Sequence, residues 1–372
     1  MFTSKAFISK TLTPGAESRR DFLAGWGTLA AGALGVALAG ASTSRAQSSS
    51  SKLMAPRRII DVHHHIMPPF YIHEHRRDQL KVGPGITQIF EWIPEQAIER
   101  MDASGVAASI LSISTPGPWF GQKEEGRRLS RQINDYAAKM RETYPGRFGL
   151  FAAIPLPDTE GSMKEIEYAF DTLKADGIGL MTSYDSLPVG SREFAPVFDE
   201  LNRRKAIVFL HRTVASCCMN LRGLPGDKEF IIDDLRALNS LLTGGTLARC
   251  PDLRLIHAHG DKTLPWVAHH IGAGGGGEGR GGGRGNPAYA PQGVLHELQK
   301  IYVDTAGNSQ DTMDDMRELG MMDQIMFGTD NPYGGSDAVR ENLNRLMGFQ
   351  LTQDELDAIG RGTALKLLPK FA

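Results

Sequence analysis

Along most of this chain, short apolar runs alternate with longer segments of helical spacing. Eight runs read as strands: 59–63, 107–113, 148–154, 177–182, 206–211, 253–258, 300–304 and 324–329. Most are dominated by Val, Ile, Leu, Phe, Ala and Gly with little polar alternation, the mark of strands buried on both faces of a parallel sheet. Between them the spacing predicts helices over 94–104, 126–144, 162–175, 193–204, 230–248, 308–319 and 336–347. Pro94 suits a first helical turn, and Gly105 suits a C-terminal cap. Leu129, Ile133, Tyr136, Ala137 and Met140 fall on one face of the second helix. Eight strands separated by helices predict an α/β fold of the (β/α)8 TIM-barrel type, with an open doubly wound sheet as the alternative.

The first 46 residues break this pattern. Ser18-Arg19-Arg20-Asp21-Phe22-Leu23 is a twin-arginine pattern, an Ala/Gly-rich apolar stretch runs from Leu23 to Ala41, and Ser44-Arg45-Ala46 offers small residues where a signal peptidase reads. Residues 1–46 are expected to be a cleaved export signal, 47–58 a flexible tether and 59–372 the barrel. A membrane anchor is the competing reading; the weak hydrophobicity of the stretch and the cleavage-like site favour cleavage. The mature protein is then periplasmic or secreted, off the membrane, with Gln47 near its N-terminus. The run at 272–285 is Gly-rich, lacks the Lys-Ser/Thr of a phosphate loop, and is expected to be a mobile surface loop.

Charge and cysteine content narrow the function classes. The leader holds five of the 41 Lys/Arg and two of the 43 Asp/Glu, so the remainder carries a net −5. That excludes the usual basic footprint of a nucleic-acid binder. Three cysteines, Cys217, Cys218 and Cys250, make no disulfide framework.

The candidate chemistry sits where the apolar runs end. Asp61-Val62-His63-His64-His65 closes the first run, His211 the fifth, His259 follows the sixth and Asp330 the eighth. A parallel barrel gathers such ends at one mouth, so these residues are candidates for a divalent-cation site. Period-two alternation puts His63 and His65 on one side and turns His64 away. Imidazoles with a carboxylate suit zinc, and also manganese or iron. Asp304, at the end of the seventh run, is a candidate to support a ligand. His257 reads as a core histidine, His73 and His75 as solvated. Trp119-Phe120, on the loop after the second strand, either walls an aromatic substrate or packs the loop.

These motifs resemble the amidohydrolase superfamily, within it the branch of metal-dependent decarboxylases that includes the aminocarboxymuconate-semialdehyde, γ-resorcylate and 6-methylsalicylate enzymes. The resemblance runs from Ile59 onward. It rests on Ile60-Asp61-Val62-His63-His64-His65 with Pro68-Pro69-Phe70-Tyr71, on Leu201 through His211, on His259 with Thr263-Leu264-Pro265, and on Phe327-Gly328-Thr329-Asp330-Asn331-Pro332. It implies that His63, His65, His211 and Asp330 hold one metal ion, zinc first and manganese second, with His259 as a catalytic histidine beside it. The family pattern has Pro after the fifth-strand His, where this chain has Arg212, and a small Gly-rich stretch where it has Gly260-Asp261-Lys262. The fourth run carries no Lys, which argues against a carbamylated bridge between two metals. The implied activity is non-oxidative release of CO2 from an aromatic or unsaturated carboxylic acid, without an organic cofactor. Asp330 or His259 would deliver the proton, Arg212 would clamp the carboxylate and Trp119 would line the site. A metal-dependent hydrolase of a lactone or amide is the alternative, a non-catalytic metal-binding protein a third. A homodimer is expected.

Overall fold

The computed structural model describes residues 53–82, 87–216, 226–260, 262–272, 289–335 and 337–372. Residues 1–46, expected to be an export leader, and Cys217, Cys218, Asp261 and all of the Gly-rich run but Gly272 lie outside the described residues. Eight parallel strands follow one another in sheet order: β1 (Ile59–Ile66), β2 (Val106–Ile113), β3 (Phe148–Ala153), β4 (Gly177–Met181), β5 (Ile207–His211), β6 (Arg254–His257), β7 (Tyr302–Asp304) and β8 (Ile325–Met326). Helices lie between them, among them α1 (Pro69–Val82), α2 (Pro94–Ala103), α3 (Lys123–Thr143), α4 (Thr159–Glu167), α5 (Ala195–Arg203) and α6 (Gly226–Thr243). Strand β8 is shorter than its apolar run. The residues beyond it close the ring: the Val62 amide donates to the Phe327 carbonyl (3.0 Å), the Asp330 amide to the His63 carbonyl (2.9 Å), and the His65 amide to the Asn331 carbonyl (2.7 Å). The result is the (β/α)8 barrel that the alternation predicts.

Two apolar layers result. Side chains facing out from the strands pack under the helices, as with Leu111, Leu150, Leu180, Val208 and Val303. Side chains facing in make a separate interior cluster of Ile60, Val62, Ile110, Phe151, Phe209, Ile256 and Met326. Leu367, Leu368 and Phe371 close that cluster at the N-terminal ends of the strands, where Phe371 meets Gly149. Phe151 and Phe209 stack with ring centroids 5.3 Å apart. Truncating a buried Phe of this kind costs about 3–5 kcal/mol.

A bulge in β1 sets the boundary between packing and chemistry. Asp61 pairs with Ser109 and His64 with Leu111, so β1 carries one more residue than β2 across that interval. Below the bulge Ile60 and Val62 face the interior; above it His63 and His65 do. Bulges of this sort re-aim side chains beside active sites. His64 points out, between Trp92 and Phe148, and accepts from Asn331 Nδ2 at 3.1 Å.

Several elements depart from the sequence reading. Helix α1 occupies a stretch for which the polar-rich sequence gave no helical stripe. It carries His75 inward: the ring is buried, stacks on Phe120 at 3.8 Å between centroids, and lies within 4.0 Å of the carboxylates of Glu74, Asp78 and Glu125. His75 is therefore not a solvated residue.

Candidate metal centre

Strand ends bring five side chains to one point. Nε2 of His65 lies 3.0 Å from Nε2 of His63 and 3.1 Å from Nε2 of His211. Oδ1 of Asp330 lies 3.0 Å from His65 Nε2, 3.2 Å from His63 Nε2 and 4.0 Å from His211 Nε2. His259 approaches the other oxygen, with Nε2 3.5 Å from Asp330 Oδ2. Ligand atoms of His63, His211, His259 and Asp330 all lie within 4.8 Å of one another. Three rings thus converge on one carboxylate oxygen, while the fourth faces its neighbour.

The backbone is bent to achieve this. His259 (φ +53°) and Asp330 (φ +57°) both adopt the left-handed conformation, which is uncommon outside glycine and tends to gather at functional sites. Each turns the chain sharply at the strand's end, and the side chain points across the mouth.

The partners of the rings fix their tautomers. His63 Nδ1 is 2.8 Å from Asp304 Oδ2, so that nitrogen carries a proton and Nε2 is the nitrogen turned to the centre. Asp304 is held in turn by the Ala306 amide, which donates to its other oxygen at 2.9 Å. His65 Nδ1 meets Ser112 Oγ at 3.1 Å. His259 Nδ1 donates to the Ala306 carbonyl at 2.9 Å, which leaves its Nε2 free. Asp61 accepts from the amides of His63 (3.0 Å) and Thr329 (3.1 Å) and from the Thr329 hydroxyl (2.7 Å), tying β1 to the turn that carries Asp330.

Burial sets the charges. It lowers the pKa of His65, and that of His211 well below the ordinary value, so both rings are neutral near pH 7. Burial, with Arg212 next, lowers His259 to about 3. Burial alone would raise Asp330, but the charge and hydrogen bonds of His63 and His65 hold it well below the carboxylate range. Burial also opposes a charge on His63, where Asp304 and Asp330 outweigh it and raise its pKa to about 10. The neutral rings of His65 and His211, with His63 Nε2 once a cation displaces its proton, face one another at 3.0–3.1 Å beside an ionised carboxylate, a donor set suited to a cation.

The site opens into a pocket of about 230 Å3 lined by Gln79, Ile89, Ser114, Thr115, His211, Arg212, Phe230, His259, Asp330 and Tyr333. Arg212 is one of these lining residues, and its Nη2 pairs with the fully buried Asp234 at 2.9 Å. Trp119 is not. Its indole donates to Asp185 at 3.0 Å and packs over Gly126, where a Cβ would come within 3.0 Å of the ring. It secures the loop after β2, and the apolar walls come from Ile89, Phe230 and Tyr333. Sequence reasoning missed these, and also Gln79, because no motif marks them.

A parallel barrel with histidines and a carboxylate converging at the C-terminal mouth has the architecture of metal-dependent hydrolase-type enzymes. The chain belongs to the amidohydrolase family, whose model matches residues 60–370. It is 33% identical over 330 residues to a decarboxylase of Aspergillus niger (yanB), covering 84% of this chain and 88% of that one. It is 32% identical over 320 residues to the 6-methylsalicylic acid decarboxylase of Penicillium expansum, covering 84% and 96%. Its fold is similar to that of 5-carboxyvanillate decarboxylase from Novosphingobium aromaticivorans complexed with manganese and a nitrobenzoic acid, with a TM-score of 0.70 at 18% identity, covering 84% and 96%.

Proposed function

We propose that the protein is a metal-dependent, non-oxidative decarboxylase of a hydroxylated aromatic acid. The observation that carries this reading is the split around Asp330: His63, His65 and His211 meet at Oδ1, whereas His259 stands at Oδ2, and His211, His259 and Asp330 border the pocket with Arg212. His63, His65, His211 and Asp330 would hold one divalent ion. Relatives named as aromatic-acid decarboxylases support the reaction, and manganese in structures of the same fold makes that ion as good a candidate as zinc. When bound, the ion would supply Lewis-acid binding of the substrate's oxygens.

The residues divide the work. Arg212 receives the carboxylate. His259, neutral and with only Nε2 open, has no proton of its own to give, so it takes one from the substrate hydroxyl and returns it to the ring carbon that bears the carboxylate. That carbon gains C–H, the C–C bond breaks, its electron pair restores the aromatic ring, and CO2 leaves. The phenolate product regains its proton from water. Ile89, Phe230 and Tyr333 keep the ring out of solvent.

The metal-loaded protein, given a panel of hydroxybenzoic acids, should release CO2 from at least one. Full metal loading with no release from any of them, and turnover of a lactone instead, overturns the reading in favour of hydrolysis. His211→Ala should lose most bound metal. His259→Asn should keep it while turnover falls on the order of 100-fold; loss of metal in His259→Asn would instead make that ring a ligand. Export through the twin-arginine leader and assembly as a homodimer belong to the same proposal. Cell fractionation of an Arg19→Lys, Arg20→Lys variant tests the first, and light scattering the second.

A further inference from the structure

Helix α1 forms part of the pocket wall through Gln79, and the short helical turn Gln88–Glu91 adds Ile89 to it. Several contacts seat α1 at the barrel mouth. The Tyr71 hydroxyl donates to the Gly117 carbonyl at 2.7 Å, Glu74 pairs with Arg128 of α3, and Arg76 lies over the Phe90 ring at 4.3 Å. His75 reaches two neighbours at once. Its ring is buried and lies flat on Phe120, with the planes 5° apart, so it covers the loop that follows β2. Its Nδ1 is 3.5 Å from Asp78 Oδ2 of α1, and its Nε2 is 3.6 Å from Glu125 Oε1 of α3. That Nε2 has no hydrogen-bond partner among the described residues.

The charged groups nearest this ring are acidic. On α1 they are Asp78 and Glu74, the latter 4.0 Å from Nε2; on α3 it is Glu125. Cations reach two of the three: Lys81 of α1 binds Asp78, and Arg128 of α3 binds Glu74. Those bonds lower the pKa of both carboxylates, so both stay ionised wherever histidine titrates. Among the described residues Glu125 has no cationic partner but His75. His73, on the same helix, is exposed, and the loop after β2, residues 114–122, carries no charge. A doubly protonated ring offers one N–H to Asp78 and one to Glu125. A neutral ring has a single N–H and turns a lone pair toward the other carboxylate, which repels it.

We propose that His75 is a positioning residue for the pocket: as imidazolium it pins α1 to α3 and to the loop after β2, and on losing its proton to solvent it releases that wall. The pocket is then held tighter in acid and looser above it, across the range of about pH 5–8 in which histidine changes charge. Nothing in this depends on which reaction the pocket performs.

Hydrogen exchange of the metal-loaded protein, read by mass spectrometry from pH 5 to 8 and corrected for intrinsic exchange rates, tests the pin. Protection of α1 should fall by about fivefold as pH rises, the order of one partly exposed ion pair. Helix α5 should show no such step, whereas a general loosening of the fold would move it too. His75→Phe keeps a ring to stack on Phe120 but has no proton to lose, so α1 protection should become independent of pH. Glu125→Gln should shrink the step, because only the contact within α1 then remains. If His75→Phe does not fold, His75→Gln serves in its place. A parent protein with no step in α1 overturns the proposal, as does a step that survives in the His75 variant or one that α5 shares. No turnover is measured, so the pin stands or falls separately from the decarboxylase reading.

Discussion

His63 Nδ1 and Asp304 Oδ2 are 2.8 Å apart, and neither side chain is exposed at all. The pair is 241 residues apart in sequence and joins β1 to β7. It sets which nitrogen of His63 faces the centre and how basic that nitrogen is. Partners of this kind are worth about 10–100-fold in metal affinity when removed. Asp304→Asn keeps the shape and removes the charge, so metal affinity should fall by that order, read by competition with a chromophoric chelator. Wild-type affinity in the variant would show that the carboxylate does not tune the ligand.

Gly328 makes that pair possible. A Cβ at this position would lie 2.8 Å from the Cβ of Asp304 and 2.9 Å from the Cβ of His63, neither of them the loose end of a flexible chain. Gly328→Ala should force the two apart, lowering bound metal and the unfolding temperature together. A metal content near one per chain at an unchanged melting temperature would contradict this packing.

The barrel and the five central residues were legible because parallel strands covered on both faces must be apolar throughout, so a His or Asp at the end of such a run stands out. What lay off the strands was not. Helix α1 reads as a polar stretch, and nothing in His73 through Gln79 announces that His75 and Gln79 turn inward while His73 stays exposed. The bulge that turns His63 inward past Val62 leaves no mark in the residue types from Ile59 to His65. Trp119 looked like a substrate wall by its type; its partner, Asp185, comes from the turn after β4, far off in sequence. Asp234 lies within a helix whose pattern says only that it is amphipathic, yet its carboxylate reaches Arg212.

His257 gives the stability a pH dependence. It is fully buried two residues before His259, and burial, then the Arg212 charge, lowers its pKa to about 4. Below about pH 6.5 the unfolded chain takes up a proton at this residue that the folded protein refuses. Stability from this source is therefore complete above pH 6.5 and is lost as pH falls toward 4, by at most about 1.4 kcal/mol per pH unit. Denaturant unfolding of His257→Asn between pH 4.5 and 7 should show a shallower acid limb than the parent. Parallel limbs would mean that the ring is protonated in the folded state over this range.

Arg212 depends on Asp234. The carboxylate is wholly buried and the guanidinium largely so, with Nη2 and Oδ2 2.9 Å apart, while the same arginine borders the pocket. Asp234 holds the fork in place, so Asp234→Asn should loosen it without touching the metal ligands. The expected result is a rise in KM for the acid of about tenfold, the order of one charge-assisted hydrogen bond, with a smaller change in kcat and full metal content. Inhibition by the phenol product, which has no carboxylate, should keep its strength. Arg212→Lys should behave like the Asp234 variant or worse, since an ammonium cannot reproduce the planar fork. If instead product inhibition weakens in step with KM, Asp234 acts by shaping the whole pocket and Arg212 is not the group that receives the carboxylate.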